Sequence, residues 1–463
     1  MTSDETISSS TARHLLAEVA RTQREGRLPG LVAGVTRGGR LVWSAGRGTV
    51  PDGGPAQTQY RIGSITKIMT ALLVLRLRDE GRLTLDDPIE KHVPGLPFGD
   101  RTVGQLVAHE SGLRAELPGE PGQWWERVPG MDWAELVRRS RREDVRYPAG
   151  RRFRYSNVGY AVLGELVARL RGRPWYDVLR AEVLDPLGMS RTTYDPEPGA
   201  AKGWAVHPWA DLVLPEPAVD LGVGAAAGQL WSTVADLGRF AGLLLGADEQ
   251  AGVVAPATLA EMTEPTGVDV GGGRRGYGLG VFNFERDGGD LIGHGGSVPG
   301  YVAGLFVNPA QQTGAVVLTN GTSGGDTNAM AMRLLDVMRE REPYLGPTWR
   351  PMERADDEAL ALTGTWYWGP NGMALRLVAN GDLVVRGIEN AGRNGLFRRV
   401  ADGEWTGLEG YHLGEKLRPV RDAEGRVVAL DIGTFIFTRE PYDPSASVPV
   451  PGGVDPEGWR PHP

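Results

Sequence analysis

The hydrophobic pattern of this chain changes once, near residue 350, and the change separates two kinds of architecture. Before it, strand-like runs near both ends of the segment enclose long stretches of helical periodicity. After it, short strand-like runs follow one another, separated by Asn-Gly and Glu-Gly turns. At 463 residues the chain is also longer than one average domain. We therefore expect a large domain followed by a smaller one.

The first part carries the elements of an α+β fold. Gly38 and Gly39 separate two strand-like runs, which predicts a hairpin. Strand patterns cover residues 31–37, 40–44, 277–284, 290–296, 301–309 and 313–320, and helical patterns cover 64–80, 133–141, 157–171, 233–245 and 326–341. Strands near both ends with helices between them indicate an antiparallel sheet flanked by helices.

The second part, residues 351–440, predicts a small antiparallel β-barrel. Near its start, Trp366, Tyr367 and Trp368 precede a Gly-Pro turn, where they would either line a neighbouring cleft or fill the core of the module. His412 has no nucleophile or base beside it in the sequence, so we assign it no catalytic role. Residues 441–463 are rich in proline and predict an extended tail.

Composition excludes several classes of function. A formal net charge of -8 argues against a nucleic-acid partner, which requires a basic surface. The absence of cysteine rules out disulfides, thiolate catalysis and cysteine-bound metals, and we expect no cofactor and no metal ion. The N-terminal residues lack the apolar core of a signal peptide, and no run of about 18 apolar residues occurs. We therefore expect a cytoplasmic protein without a membrane partner.

A serine and a lysine stand three residues apart at the start of a strongly apolar helical pattern. Ser64 and Lys67 would lie on one face of that helix, because positions i and i+3 are neighbours. The backbone N–H groups at a helix start favour negative charge that develops on the serine. Lys67 can act as a base there only if burial and neighbouring positive character lower its pKa. The alternative is a capped helix with a lysine that extends to solvent.

A second polar segment, "RYSNVGY", would supply one wall of such a site. Tyr155 and Asn157 flank a serine just before a helix, and residues i and i+2 of an extended loop project to the same side. The alternative is Asn157 as the helix N-cap and Tyr155 as a packed aromatic residue. Upstream, Trp124, Trp125 and Trp133 predict part of an apolar substrate cleft.

A third segment, "LIGHGGSVPG", would supply the opposite wall. His294 ends an apolar strand, and the glycines after it, including Gly296, allow a ligand to approach the backbone closely. The next N–H group, that of Ser297, can then face an oxyanion. The alternative is a tight turn with a histidine on its rim.

Together, Ser64-x-x-Lys67, Tyr155-x-Asn157 and His294-x-Gly296, in this order, resemble the motifs of the penicillin-recognising serine hydrolases. This superfamily includes class C β-lactamases, DD-peptidases, D-aminopeptidases and related esterases. The segments "GQLVAHESGL", "AAAGQLWSTVADLGRF" and "EVLDPLGM" are similar to further family segments. The resemblance implies a β-lactamase/transpeptidase-like domain over residues 12–345, with an all-helical subdomain. Residues 351–440 resemble the lipocalin-like modules attached to some of these enzymes.

The resemblance also implies roles for the motif residues. Ser64 would attack a carbonyl and form an acyl-enzyme, with Lys67 and Tyr155 sharing the general-base role. The N–H groups of Ser64 and Ser297 would hold the oxyanion. Asn157 would orient the substrate amide, and the histidine of the third motif would polarise the pocket or bind a carboxylate. Histidine in place of lysine weakens a fixed positive charge at pH 7, which argues against both carboxylate recognition and efficient β-lactam hydrolysis.

Several functions are compatible with these motifs. We expect an esterase or a D-amino-acid peptidase acting on a small molecule or a peptide. A penicillin-binding-protein-type thioesterase that cyclises a nonribosomal peptide, delivered by a carrier protein, is the alternative. A non-enzymatic β-lactam or peptide sensor is the third candidate.

A competing motif, Gly321-Thr322-Ser323-Gly324-Gly325, has the G-x-S-x-G spacing of an α/β-hydrolase nucleophile elbow. No further βα units follow it to carry an acid and a histidine.

Overall fold

The structure, a computed structural model, describes residues 6–120, 122–247, 252–266, 276–346, 348–354, 356–388, 393–433 and 435–441. The chain forms two compact units, divided between Leu345 and Gly346. Beyond Pro441, the predicted proline-rich tail lies outside the described residues. Within the described ranges, no helix combines the length and the apolar character needed to cross a lipid bilayer.

The first unit contains helices and strands in alternation. In chain order they are α1 (Ser9–Glu25), β1 (Gly30–Arg37), β2 (Arg40–Gly48), α2 (Gly54–Gln57), β3 (Tyr60–Arg61), α3 (Thr66–Asp79), α4 (Val103–Val107), α5 (Trp133–Arg139), α6 (Asn157–Arg171), α7 (Trp175–Leu179), β4 (Trp204–Val206), β5 (Val213–Pro215), α8 (Ala225–Gly228), β6 (Trp231–Ser232), α9 (Val234–Leu244), α10 (Pro256–Thr263), β7 (Gly276–Tyr277), β8 (Phe282–Phe284), β9 (Leu291–Val298), β10 (Tyr301–Asn308), β11 (Thr313–Thr319) and α11 (Thr327–Arg341).

An antiparallel sheet of seven strands forms the centre of this unit, in the order β2-β1-β11-β10-β9-β8-β7. Helices cover both faces, so successive side chains of a strand enter two different cores. On β1, Leu31 and Val35 join a cluster with Leu15 of α1, whereas Val32 joins the larger cluster that includes Phe240 of α9. The predicted α+β class, with an antiparallel sheet flanked by helices, is confirmed.

The predicted helices and strands are present, but several shorter elements, such as α4, α7, α10 and the β4–β5 hairpin, were not predicted. The pattern over 277–284 forms two short strands, β7 and β8, instead of one. The helix α1 was not predicted, although Ser8 caps it through a bond from the Thr11 N–H group and it buries Leu15 and Val19. Its polar residues outnumber the buried ones, which weakens the apolar pattern in that segment.

A helical subdomain, α3 to α8, lies between β3 and β6, and it also contains the short β4–β5 hairpin. Its central helix, α3, packs against α6 and α8 and buries most of its length, from Thr66 to Leu75 and again at Leu77. A helix that is apolar on all sides is stable only when neighbours surround it. The polar side chains of its first two turns, Lys67 among them, are therefore carried into the interior, whereas Arg76, Arg78 and Asp79 at its end are not buried.

The second unit is a closed barrel of eight antiparallel strands, preceded by a short helix. Its elements are α12 (Asp357–Leu362), β12 (Gly364–Trp368), β13 (Asn371–Leu377), β14 (Leu383–Gly387), β15 (Gly395–Ala401), β16 (Glu404–Gly407), β17 (Lys416–Arg421), β18 (Val427–Ile432) and β19 (Phe435–Thr438). The strands pair in sequence order and β12 pairs with β19, so the barrel has no free edge. The predicted small antiparallel barrel is confirmed.

Of the aromatic residues Trp366, Tyr367 and Trp368 at the start of the barrel, one, Trp366, belongs to the buried core of the barrel. Trp366 is buried among the core residues and donates an Nε1–H bond of 2.7 Å to the carbonyl O of Leu362. Trp368 is partly exposed, and the Arg393 guanidinium lies 5.3 Å from the centroid of its ring. His412 is buried within the same unit.

Candidate active site

A cleft in the first unit, with a volume of about 440 Å³, contains most of the predicted site residues. Ser64, Tyr155, Asn157, His294, Gly296 and Ser297 all line it. The other described residues that line it are Glu116, Glu126, Phe282, Gly295, Val302, Ala303, Gly325, Asp326, Thr327 and Asn328. Three sequence segments that lie far apart in the chain therefore form the walls of one cleft.

Ser64 lies on a 3₁₀ turn, Gly63–Ile65, that leads directly into α3. The helical pattern predicted from Ser64 thus begins with 3₁₀ geometry. Gly63 adopts a φ of 50°, and a Cβ at this position would lie 2.7 Å from the backbone N of Ser297. Only glycine fits such an approach, so the turn that carries Ser64 packs directly against β9.

Lys67, three residues after Ser64 on the first turn of α3, is fully buried. Its Nζ lies 3.0 Å from Ser64 Oγ, 2.8 Å from Asn157 Oδ1 and 2.7 Å from the carbonyl O of Ala227. Burial lowers the pKa of Lys67 to about 7, although two nearby carboxylates oppose the shift. The alternative of a lysine extended to solvent is therefore wrong, and near neutral pH the amine is about half protonated.

The phenol of Tyr155 also lies beside Ser64. Lys67 Nζ is 4.9 Å from the centroid of the Tyr155 ring. Burial raises the pKa of Tyr155 well above its usual value of 10, and the nearby Ser64 hydroxyl offsets only part of this rise. At neutral pH Tyr155 is therefore a protonated phenol, which can donate a proton to a neighbouring atom.

Asn157 connects Lys67 to the far wall of the cleft. Its Oδ1 accepts a bond from Lys67, and its Nδ2 donates a bond of 2.9 Å to Glu116 Oε2. Ser156, and not Asn157, is the N-cap of α6, because Ser156 Oγ accepts a bond of 3.1 Å from the Gly159 N–H group. The alternative reading of Asn157 as the cap is thus wrong, and its amide is available to the site.

Strand β9 meets the Ser64 turn at Gly296. A Cβ at Gly296 would lie 1.9 Å from the carbonyl O of Ile62 and 3.2 Å from the backbone N of Ser64. Real side chains do not tolerate the first of these distances. The backbones of Ser64 and of Gly296-Ser297 consequently lie side by side, as a pair of oxyanion-binding N–H groups requires.

His294 lies within β9 on the wall of the cleft and is 3% exposed. Its Nδ1 donates a bond of 2.5 Å to the carbonyl O of Gly295. Its ring centroid lies 5.0 Å from that of Phe282 and 5.9 Å from that of Tyr155. The imidazole is therefore set among aromatic rings and is not on the rim of an exposed turn.

Two carboxylates of the cleft, Glu116 and Glu126, were not predicted as site residues. Both stabilise the ammonium form of Lys67. Burial raises the pKa of Glu126, and the charge of Glu116 adds to that rise. Neither residue belongs to a motif, but both lie close in sequence to Trp124 and Trp125.

The three tryptophans expected in an apolar substrate cleft lie elsewhere, and Trp125 lines a separate cavity with Leu117 and Met131. Trp125 donates its Nε1–H to Glu116 Oε2 at 2.7 Å, and Trp124 donates its Nε1–H to Glu126 Oε2 at 2.8 Å. Neither ring is among the described residues that line the cleft, and Trp133 is not among them either. The indole N–H groups instead bond to the two carboxylates; the buried indole of Trp125 needs such an acceptor, whereas Trp124 is exposed.

The G-x-S-x-G segment does not form a nucleophile elbow. It follows β11, which pairs antiparallel with both β1 and β10, whereas an α/β-hydrolase places its serine after a strand of a parallel sheet. Ser323 is exposed and is absent from the described cleft residues, although Gly325 lines the cleft. The segment is a connection between β11 and α11.

The geometry suits acyl transfer. The Ser64 hydroxyl has beside it an amine that loses its proton near neutral pH and a protonated phenol, and the backbones of Ser64 and Ser297 lie next to each other. Among the residues that the structure describes, no group of three or more His, Cys, Asp or Glu side chains is arranged to hold a metal ion.

Comparison with known proteins places this arrangement in a family. The Beta-lactamase family model matches residues 12–339, and a model described as a domain of unknown function (DUF7586) matches residues 355–439. Penicillin-binding protein 4 from Amycolatopsis lactamdurans is 30% identical over 280 residues, which cover 57% of this chain and 72% of that protein.

Two solved structures are similar over most of their length. The octameric penicillin-binding protein homologue from Pyrococcus abyssi has a TM-score of 0.62 and 24% identity, covering 92% of this chain and 99% of that chain. A D-stereospecific amidohydrolase from Streptomyces sp. has a TM-score of 0.59 and 25% identity, covering 72% of this chain and 98% of that chain. With the family model matching most of its length, the chain belongs to the Beta-lactamase family, within the superfamily of penicillin-recognising serine hydrolases.

Proposed function

We propose that this protein is a serine amidohydrolase that forms an acyl-enzyme on Ser64 and prefers substrates with a free amino group close to the scissile carbonyl. D-Amino-acid amides and short peptides with a D-residue at the N-terminus are substrates of this kind. The charge of the cleft carries the proposal. Among the described residues that line it, Glu116, Glu126 and Asp326 are carboxylates, and none is arginine or lysine.

This charge pattern separates the candidate substrates. β-Lactams and peptides cleaved near their C-terminus present a carboxylate, which the acidic wall repels. A substrate ammonium group instead pairs with the wall and stabilises the ionised form of Glu126. The similarity to a D-stereospecific amidohydrolase, at 25% identity, supports the same class of substrate.

The proposed reaction starts with Lys67 in its neutral form. Lys67 Nζ, 3.0 Å from Ser64 Oγ, takes the hydroxyl proton while Oγ attacks the carbonyl carbon. The N–H groups of Ser64 and Ser297 stabilise the oxyanion. Tyr155, as a protonated phenol, donates its proton to the leaving group, which is the amide nitrogen of the substrate or the fluoride of a fluorophosphonate probe, and recovers one from Lys67. The C–N bond breaks, and water later hydrolyses the ester on Ser64.

Asn157 has a positioning role in this scheme. Its Oδ1 holds Lys67 and its Nδ2 holds Glu116, so a single amide sets the distance between the base and the acidic wall. His294, whose Nδ1 donates to the carbonyl O of Gly295, lines the cleft among aromatic rings. In this proposal it shapes the acyl pocket and does not bind a carboxylate.

The nucleophile is tested by labelling with a fluorophosphonate probe. The wild type and the Ser323→Ala variant are expected to be labelled, and Ser64→Ala is not. Labelling that persists in Ser64→Ala and disappears in Ser323→Ala would overturn the assignment.

The substrate class is tested with a matched pair of compounds, D-phenylalanine p-nitroanilide and its N-acetyl derivative. We expect acetylation to lower kcat/KM at least about tenfold, a difference of about 1.4 kcal/mol. In Glu126→Gln this preference should shrink, whereas Asp211→Asn, a surface change on the β4–β5 hairpin, should leave it intact. Equal rates on both compounds in the wild type would refute the ammonium preference. Conversion of a D-terminal peptidyl thioester into a cyclic product, with no turnover of either anilide, would instead support the peptide cyclase.

A further inference from the structure

His109 occupies a backbone position that normally belongs to glycine. It follows α4 with a φ of 59°. Its N–H group bonds to the carbonyl O of Leu106 at 3.2 Å, and the next N–H, of Glu110, bonds to the carbonyl O of Gln105 at 2.8 Å. This is the Schellman ending of a helix, in which the left-handed residue is usually glycine because any Cβ is strained there. A histidine at this position implies that its side chain has a task.

The side chain and backbone of His109 contact three consecutive residues of the Tyr155 segment. The carbonyl O of His109 accepts a bond of 2.7 Å from the Arg154 N–H group, and Nδ1 accepts one of 3.1 Å from the Ser156 N–H group. The imidazole centroid lies 4.2 Å from that of the Tyr155 ring, with the two planes tilted by 38°. His109 thus holds the segment on both sides of Tyr155 and packs against the phenol itself.

These contacts also determine the charge of His109. A backbone N–H group can only donate, so Nδ1 must accept and the ring must be neutral with its proton on Nε2. Burial lowers the pKa of His109 well below 6.5, and the charges of Lys67 and His294 lower it further. His109 is completely buried, and its Nε2 has no hydrogen-bond partner in the described part of the chain. A hydrogen bond of Nε2 therefore does not explain why a histidine stands at this position.

We propose that His109 is a positioning residue for Tyr155: its imidazole fixes the phenol against Ser64 and Lys67 and, because it stays neutral, adds no charge that would disfavour protonated Lys67 during the reaction. The inference rests on the proposed function, since it assigns His109 an effect only through a Tyr155 that transfers a proton. It predicts a loss in the chemical step without a loss in ligand binding.

The test uses two variants that keep the left-handed backbone conformation. His109→Asn tolerates a positive φ but lacks the ring, and His109→Gly removes the strain together with the side chain. In the full-length protein we expect both to lower the maximal labelling rate of Ser64 by a fluorophosphonate about tenfold to hundredfold. The probe concentration for half-maximal rate should change by less than about twofold. His92→Asn is the matched control: this partly buried histidine bonds to Asp87 at 2.8 Å and does not line the cleft, so its loss should affect stability but not labelling.

A double-mutant cycle separates positioning from general structural damage. In a Tyr155→Phe background, His109→Asn should slow labelling by less than about twofold, because the group through which it acts is already gone. Additive losses in the double variant, or normal labelling in both folded His109 variants, would overturn the proposal. A silent Tyr155→Phe would overturn it as well, while loss of labelling in Ser64→Ala would still uphold the nucleophile and thus the proposed function.

Discussion

The pH dependence of acylation tests the most unusual feature of the site, the buried Lys67. Its pKa, lowered from 10.5 to about 7 by burial, sets the fraction of neutral amine that can accept the Ser64 proton. Because the shift is downward, the neutral base is formed as the pH rises through 7. With a pKa of about 7, the rate should increase about tenfold per pH unit below pH 6 and only about twofold between pH 7 and pH 9. An unshifted lysine would instead give an increase of about a hundredfold between pH 7 and pH 9.

The assay is the second-order rate of labelling by an uncharged fluorophosphonate between pH 5 and pH 10, which reports on the free enzyme. Because the probe carries no charge, titration of Glu126 should not change how tightly the probe binds. A rate that keeps rising tenfold per unit up to pH 9, or that does not depend on pH, would refute the reasoning. Lys67→Arg should abolish labelling at every pH, because a guanidinium does not lose its proton in this range.

Glu126→Gln provides a control with a defined sign. The Glu126 carboxylate raises the pKa of Lys67, so its removal should shift the acid limb to lower pH. A shift to higher pH would show that the limb belongs to another group.

Three further predictions concern the frame of the site and the second unit. Gly296→Ala, whose Cβ would lie 1.9 Å from the carbonyl O of Ile62, should lower the labelling rate at least about a hundredfold, and an unimpaired rate would show that β9 does not need this approach. Asp87, whose pKa is held below its usual range by bonds from Lys91, His92 and Thr84, should contribute stability above about pH 4 that is lost as the pH falls further. Asp87→Asn should therefore lower the free energy of unfolding at pH 7 by about 1–3 kcal/mol and flatten its decrease in acid, as measured by urea unfolding; a decrease in acid as steep as that of the wild type would argue against the assignment. Trp366→Ala should destabilise the barrel by about 3–5 kcal/mol in calorimetry while leaving the labelling of Ser64 unchanged, since every described residue of the cleft belongs to the first unit; slower labelling would contradict this.

Much of the architecture was determined locally and could be predicted from the sequence. The 3.6-residue period of 157–171 predicted α6 with its observed ends, and the Gly38-Gly39 turn predicted the β1–β2 hairpin. These features depend on neighbours within a few residues, where propensity and periodicity act. The motif residues were predicted for the same reason, since Ser64 and Lys67 lie three positions apart on one segment.

Other properties were decided only by the tertiary structure. The pKa of Lys67 depends on its burial beneath α6 and α8. The sequence around Lys67 does not show how completely these two helices exclude water from its amine. Glu116 and Glu126 lack any motif and reach the cleft because the indoles of Trp124 and Trp125 hold them there. The sequence predicts Trp124 and Trp125 in an apolar cleft, because it shows an aromatic ring but not the acceptor to which its N–H group bonds.

His109 illustrates the same limit. Its segment resembles a segment of the family, but its neutral ring and its contact with Tyr155 depend on a loop that lies more than forty positions away. The sequence determines which residues have the required chemistry. The folded chain determines which of them meet, because contact, burial and electrostatic influence act over ångströms and not over positions in the chain.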